Sequence, residues 1–230
     1  MNISFVQKEG NSRRGYHRDD RVKDIAEILL EEGNVFVKDV AIILTNSQDI
    51  NQLTNISSQI IRKWRRKLEK DHYLNSEELH DMITKIYVHL SNIYNDTDNI
   101  DNLKGAIVEV YTHKAMIKRY DGADHIEVEC KVKINGWRSD RSVDVGVLKQ
   151  DSTSGDCFEC KLGLGAISDE RIAAQIQNLR DIHFKSNEIL KANILSFEKR
   201  EAVIDKLRDK SISFPEITIY GRNELHQFNS

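Results

Sequence analysis

Asp144 stands alone in the apolar run Ser-Val-Asp-Val-Gly-Val, and Glu159 and Lys161 lie two apart in Asp-Cys-Phe-Glu-Cys-Lys-Leu-Gly. Strand geometry with a period of two puts Glu159 and Lys161 on one face, ~6–7 Å apart along the strand. Two hairpin-related strands bring Asp144 beside them. A charge inside an apolar strand needs a partner or a metal. Two carboxylates and an amine in one place can hold a divalent cation and activate a water, which is the chemistry of phosphodiester cleavage. A third isolated carboxylate, Glu109, stands in the helical stretch Lys-Gly-Ala-Ile-Val-Glu-Val-Tyr.

A second Glu-x-Lys, Glu129-Cys-Lys131, lies in Ile-Glu-Val-Glu-Cys-Lys-Val-Lys-Ile. Its charges alternate strictly with apolar residues, the pattern of a half-buried strand with a solvated face. Cross-strand pairing accounts for it, and Glu129→Ala is expected to do little. Cys157 and Cys160 form a CxxC, but a strand points them to opposite faces and no second pair completes a zinc site. They read as small buried hydrophobes. Gly163 and Gly165 lack a following Lys-Ser/Thr, so no phosphate loop is present. His113, one helical turn after Glu109, is placed to hydrogen-bond it.

The elements that must position these groups follow from periodicity. Helices are predicted at Arg21–Glu32 (with Gly33 as its cap), Ser57–Lys70, Asn75–Tyr94, Leu103–Arg119, Asp169–Lys185 and Lys199–Asp209. Strands are predicted at Ile126–Ile134, Ser142–Lys149, Cys157–Leu162, Ala192–Phe197 and Ile217–Tyr220. Lys38–Leu44 is a short apolar helix or strand, and residues 1–19 read as a mobile polar arm. Asn46–Asn55 reads as polar linker, and Asn135-Gly136 as a hairpin turn needing positive φ. The polar stretch 95–102 marks a boundary between an N-terminal helical region, 1–100, and a mixed α/β region, 101–230.

That order resembles the PD-(D/E)XK nuclease superfamily, whose αβββαβ core carries a Glu on the first helix, an Asp on the second strand and (D/E)-x-K on the third. The resemblance covers roughly residues 100–220 and implies a restriction-endonuclease-like fold. It maps the catalytic set onto Glu109, Asp144, Glu159 and Lys161. Glu109, Asp144 and Glu159 become the ligands of Mg²⁺ or Mn²⁺, hard cations that favour oxygen donors. Val143 stands where the family commonly has Pro, and Leu179 stands where RecB-type members carry a Tyr after Gln175. The implied activity is metal-dependent endonucleolytic hydrolysis of DNA, in restriction or another prokaryotic defence role. RNA cleavage by a toxin or effector, and a non-enzymatic nucleic-acid-binding regulator on the same fold, are the alternatives.

The net charge of -3 over 230 residues means any basic nucleic-acid surface is local. The densest basic run, Arg62-Lys63-Trp64-Arg65-Arg66-Lys67, reads as a helix with Arg62, Arg65 and Arg66 on one side. It is a candidate recognition helix after a connection of about ten residues, longer than the usual tight turn. Arg138 and Arg141 flank the hairpin, and Arg171 and Gln175 lie on the helix after the third strand, within reach of phosphates. Cutting two antiparallel strands suggests a homodimer, with the amphipathic helix 75–94 as its interface. With no run of about 18 apolar residues and no apolar leader, a cytoplasmic protein without a membrane span is expected. Three cysteines fit a reducing compartment.

Overall fold

Where polarity suggests a mobile arm, Ile3–Gln7 forms a strand, β1, paired antiparallel with residues 130–134. Ile3 is buried and Phe5 packs beside it, so alternation over five residues is enough to dock an edge strand. The computed structural model describes residues 1–7, 14–31, 34–71, 76–120, 125–149, 151, 153–168 and 170–228. After β1 come six helices: α1 (Arg14–His17), α2 (Asp20–Glu31), α3 (Asn34–Asn46), α4 (Ile50–Asp71), α5 (Ser76–Tyr94) and α6 (Ile100–Arg119). Strands β2 (His125–Ile134), β3 (Trp137–Arg138), β4 (Val143–Leu148) and β5 (Gly155–Lys161) follow. Then come α7 (Leu164–Ser168), α8 (Arg171–Lys185), β6 (Leu190–Ser196), α9 (Arg200–Asp209) and β7 (Ile217–Tyr220), with a 3-10 turn at Leu225–Phe228.

The strands form one seven-stranded mixed sheet in the order β1-β2-β4-β5-β6-β7, with β3 paired to β2 off that path. The first four strands of this path pair antiparallel, and β5–β6 and β6–β7 pair parallel. Parallel neighbours need crossovers, and α8 and α9 supply them. One hydrophobic core joins α2–α6 to Val145, Val147, Phe158 and Leu195. A second joins Cys130, Val132, Val143 and Cys157 to α8 and α9. Helix α6 is buried from Leu103 to Met116 on nearly all sides, as a central helix should be. Asp101 in its first turn and Lys118 and Arg119 in its last suit the helix dipole.

Two expectations in the helical half change. Residues 50–55 of the stretch read as linker belong to α4: Asp49 Oδ1 accepts from the N–H groups of Asn51 (2.8 Å) and Gln52 (2.9 Å), capping the helix. The α3–α4 connection is therefore a short turn at 47–49, not a ten-residue loop. The apolar face of α5 was expected to serve a dimer, but Ile83, Ile86, Leu90 and Ile93 are buried in the chain's own core. Gly33, Asn75, Asp121 and Asp124, and the side chains of Lys67, Leu68, Leu79 and Met82, lie outside the described residues.

Asn135 and Gly136 do take positive φ (49° and 90°), but the strand returning at once is the two-residue β3. β4 then takes over the pairing with β2. Gly155 opens β5 where a Cβ would stand 2.3 Å from the Val147 carbonyl oxygen, so no larger residue fits. Among the described residues, no helix is long and apolar enough to cross a membrane.

Candidate active site

β4 and β5 pair from Leu148–Gly155 to Val145–Phe158, and there their ladder ends. Beyond that point Asp144 Oδ2 accepts the N–H of Cys160 at 2.7 Å, so a side chain takes over from the backbone. β5 meanwhile stays paired with β6 to its last residue, Lys161↔Ser196. The result is a fork between β4 and β5 with Asp144 on one prong and Glu159 and Lys161 on the other.

Lys161 Nζ lies 2.8 Å from Glu159 Oε2 and 3.7 Å from Asp144 Oδ2. Lys161 is 7% exposed and Glu159 1%, whereas the Asp144 side chain is 21% exposed. One ammonium thus serves two carboxylates, and the trio with all groups ionised carries a net negative charge. Burial pushes the Glu159 carboxyl up to about 8, the Asp144 charge adds to this, and Lys161 offsets only part. Burial disfavours the Lys161 ammonium, but the fields of Glu159 and Asp144 outweigh it and hold its pKa above the usual lysine value. Among the described residues Glu159 Oε1 is buried with no hydrogen-bond partner.

Glu109, on α6, is buried, and its Oε2 lies 2.5 Å from Nε2 of His17. The histidine that reaches Glu109 is therefore not His113. Burial lowers the His17 pKa, but the hydrogen bond to Glu109 and the charges of Glu109, Glu129 and Asp144 more than reverse this, and the net shift is upward. His17 gave no sequence signal: it sits in a segment that reads as a polar arm, far from any partner in the chain.

Glu129 overturns its reading as a solvated residue, being 8% exposed and part of the cleft wall. Ile126 and Val128 pack in the first core, but Cys130 and Val132, of the same parity, pack in the second. On β4, Val145 and Val147 face the first core and Val143 the second. Register is kept across the change (Val128↔Val145, Cys130↔Val143), so both strands switch faces at the Glu129–Asp144 level. Glu129 has φ 46°, a conformation that costs a non-glycine residue about 1–3 kcal/mol. This kink brings Glu129 beside Asp144, and an alternation argument, which assumes an unbroken strand, cannot see it.

Glu109, Glu129, Asp144 and Lys161 line a cleft of about 860 Å³. Arg171 and Gln175 line it too, as do Thr45 and Gln48 from the end of α3 and the α3–α4 turn. The other basic residues of interest lie elsewhere. Arg62, Arg65 and Arg66 are exposed on α4, away from the cleft. Lys63 is tied to Asp39 at 3.0 Å, the same carboxylate that accepts from Trp64 Nε1. Arg138 and Arg141 are exposed, and the Arg141 backbone is clamped by buried Asn178 (Arg141 N–H to Oδ1, 3.1 Å). Cys157 and Cys160 are buried and free, in the second and first cores respectively.

Among the described residues no group of three His, Cys, Asp or Glu is arranged to hold a metal ion. The donor chemistry nevertheless fits a hard divalent cation: carboxylate oxygens, and a buried Glu159 Oε1 that no hydrogen bond among the described residues occupies.

Fold and cleft together define a mixed α/β protein whose sheet forks between two central strands and gathers carboxylates around a buried lysine. No protein-family model matches the chain, and no curated protein matches it. Among solved structures it is similar to protein VC1899 from Vibrio cholerae, at 12% identity and a TM-score of 0.47, over 99% of this chain and 57% of that one. It is also similar to Can2 from Sulfobacillus thermosulfidooxidans in complex with cyclic tetra-adenylate. That match has 9% identity and a TM-score of 0.45, over 98% of this chain and 54% of that one. The chain spans little more than half the length of either.

Proposed function

We propose that the protein is a metal-dependent endonuclease that hydrolyses DNA phosphodiester bonds, in restriction or another prokaryotic defence role. The observation that carries this is the convergence of Asp144, Glu159 and Lys161 at the fork, where Asp144 and Lys161 line a cleft shared with Glu109. Asp144, Glu159 and Glu109 would hold Mg²⁺ or Mn²⁺. When bound, such a cation polarises the scissile phosphate and lowers the pKa of a water. Lys161 stays an ammonium under the pull of its two carboxylates, so it orients the water and offsets charge growing on the phosphate rather than taking a proton. Burial holds the Glu159 carboxyl above the usual carboxylate range, and a bound cation would draw it into its ionised form.

In this reading residues 101–230 are the catalytic core, and residues 1–100 serve nucleic-acid binding or dimerisation, with Arg62, Lys63, Arg65 and Arg66 on the binding face. Arg138, Arg141, Arg171 and Gln175 meet phosphates nearer the cut. A homodimer supplies one site per strand. The test incubates the protein with plasmid, linear duplex, single-stranded DNA and tRNA, each with Mg²⁺ or with EDTA. DNA cleaved with Mg²⁺ alone supports the proposal. Cleavage of tRNA alone makes the enzyme a ribonuclease, and binding with no cleavage makes it a regulator.

A further inference from the structure

We infer that Lys104 binds a backbone phosphate of the substrate strand, next to the phosphate that is attacked, so that the cleft grips a polynucleotide at two points. This rests on the nuclease reading of the cleft and extends it to how the strand is held. Lys104 lies on α6 ahead of Glu109, and both line the cleft with Asp144 and Lys161. Five residues of helix separate them by about 7.5 Å along the axis, on the scale of one phosphate step along a strand.

Lys104 is 4% exposed, buried as deeply as Lys161, but its surroundings differ. Lys161 has two carboxylates within reach, while the Lys104 ammonium donates to the Ser47 carbonyl (2.7 Å) and sits 5.3 Å from the centre of the Tyr94 ring. Among the described residues no carboxylate stands within ion-pairing distance of it. Burial lowers its pKa, and the field of Asp101, on the same wall, does not restore it. A buried cation with only neutral partners is costly, and an arriving anion removes that cost. Closing the end of α3 through the Ser47 carbonyl explains a hydrogen-bond donor at this position, but a neutral amide would do the same. The charge itself remains for a ligand, and the ligand that the fork acts on is a chain of phosphates. Thr45, Gln48 and Asn102, uncharged and polar, line this end of the cleft and leave room for such a chain.

The experiment compares wild type with Lys104→Gln, Lys104→Met and Lys104→Arg, binding a fluorescent DNA oligonucleotide in EDTA over a range of salt concentrations. Lys104→Gln keeps a donor for Ser47 and removes the charge. It should bind at least tenfold more weakly at low salt, with the slope of log K against log salt smaller by about one phosphate contact. Lys104→Arg should keep the slope, and for cleavage with Mg²⁺ the Lys104→Gln loss should appear in KM more than in kcat. Wild-type slope and affinity in a folded Lys104→Gln or Lys104→Met overturn the inference, whatever their melting temperatures. A wild-type protein that binds DNA but never cuts it refutes the nuclease reading instead, and the slopes still decide the role of Lys104.

Discussion

Glu159 and Lys161 are the two residues whose loss separates chemistry from stability. Lys161→Ala is expected to lower cutting by at least ~10²-fold, the usual scale for a preorganised charge at a transition state. It should also destabilise the fold by about 3 kcal/mol, because it strands a buried Glu159 carboxyl. Glu159→Gln combined with Lys161→Met removes both partners and should recover most of that stability but none of the activity, a double-mutant cycle read by denaturant unfolding. The raised Glu159 pKa fixes a pH dependence. Between its unfolded value of 4.5 and its folded value of about 8 the native state binds more protons than the unfolded one, so stability falls as pH rises. Unfolding midpoints should therefore decline less between pH 5 and 8 in Glu159→Gln than in wild type. Glu129 changes standing most. Asn tolerates its backbone conformation, so Glu129→Asn should melt within about 1 kcal/mol of wild type yet cut at least tenfold more slowly. Equal cutting would leave Glu129 a part of the cleft wall with no share in the chemistry. Asp144, Glu159, Lys161 and Glu109 were legible because each interrupts an apolar run. Glu129 was hidden by regular alternation, and His17 by distance in sequence.

At the scale of elements, the strands of the core were readable from alternation and turn residues, and β7 falls on the predicted residues. The helical half was harder, because polar residues at the start of a helix look like a linker until a cap is recognised, as at Asp49. Helix α4 shows what a basic run can conceal: Lys63 is held by Asp39, while Arg62, Arg65 and Arg66 face solvent. Replacing those three arginines with Ala should weaken DNA binding and shallow its salt dependence, whereas Lys63→Ala should change binding little, because its ammonium is already held by the buried Asp39 carboxylate. An unchanged salt slope in the triple variant removes α4 from the binding face. Gly155 tests the sheet. A methyl group there meets backbone, and Gly155→Ala should cost about 1–3 kcal/mol by thermal melting.

The whole molecule shares its hydrophobic interior across the stretch 95–102. Val22, Leu29, Val40 and Leu53 belong to the same core as Val108, Tyr111, Phe158 and Phe197. A fragment of residues 101–230 would expose the face of α6 that α2 covers and would lack β1 and His17, so it is expected to be unfolded or aggregated by circular dichroism and light scattering. Ile83, Ile86, Leu90 and Ile93 of α5 are occupied internally and are not free for a dimer, and dilution-dependent mass in the presence of DNA is the measurement for one. The hydrogen bond from Cys160 to Asp144 bears on how every inactive form of this protein is to be made. That carboxylate is also a rivet, closing the sheet at the level where two backbones part company. Clipping it to alanine leaves a strand amide stranded and risks prying the fork open. Asparagine, which keeps an oxygen in place, is the sounder silent control.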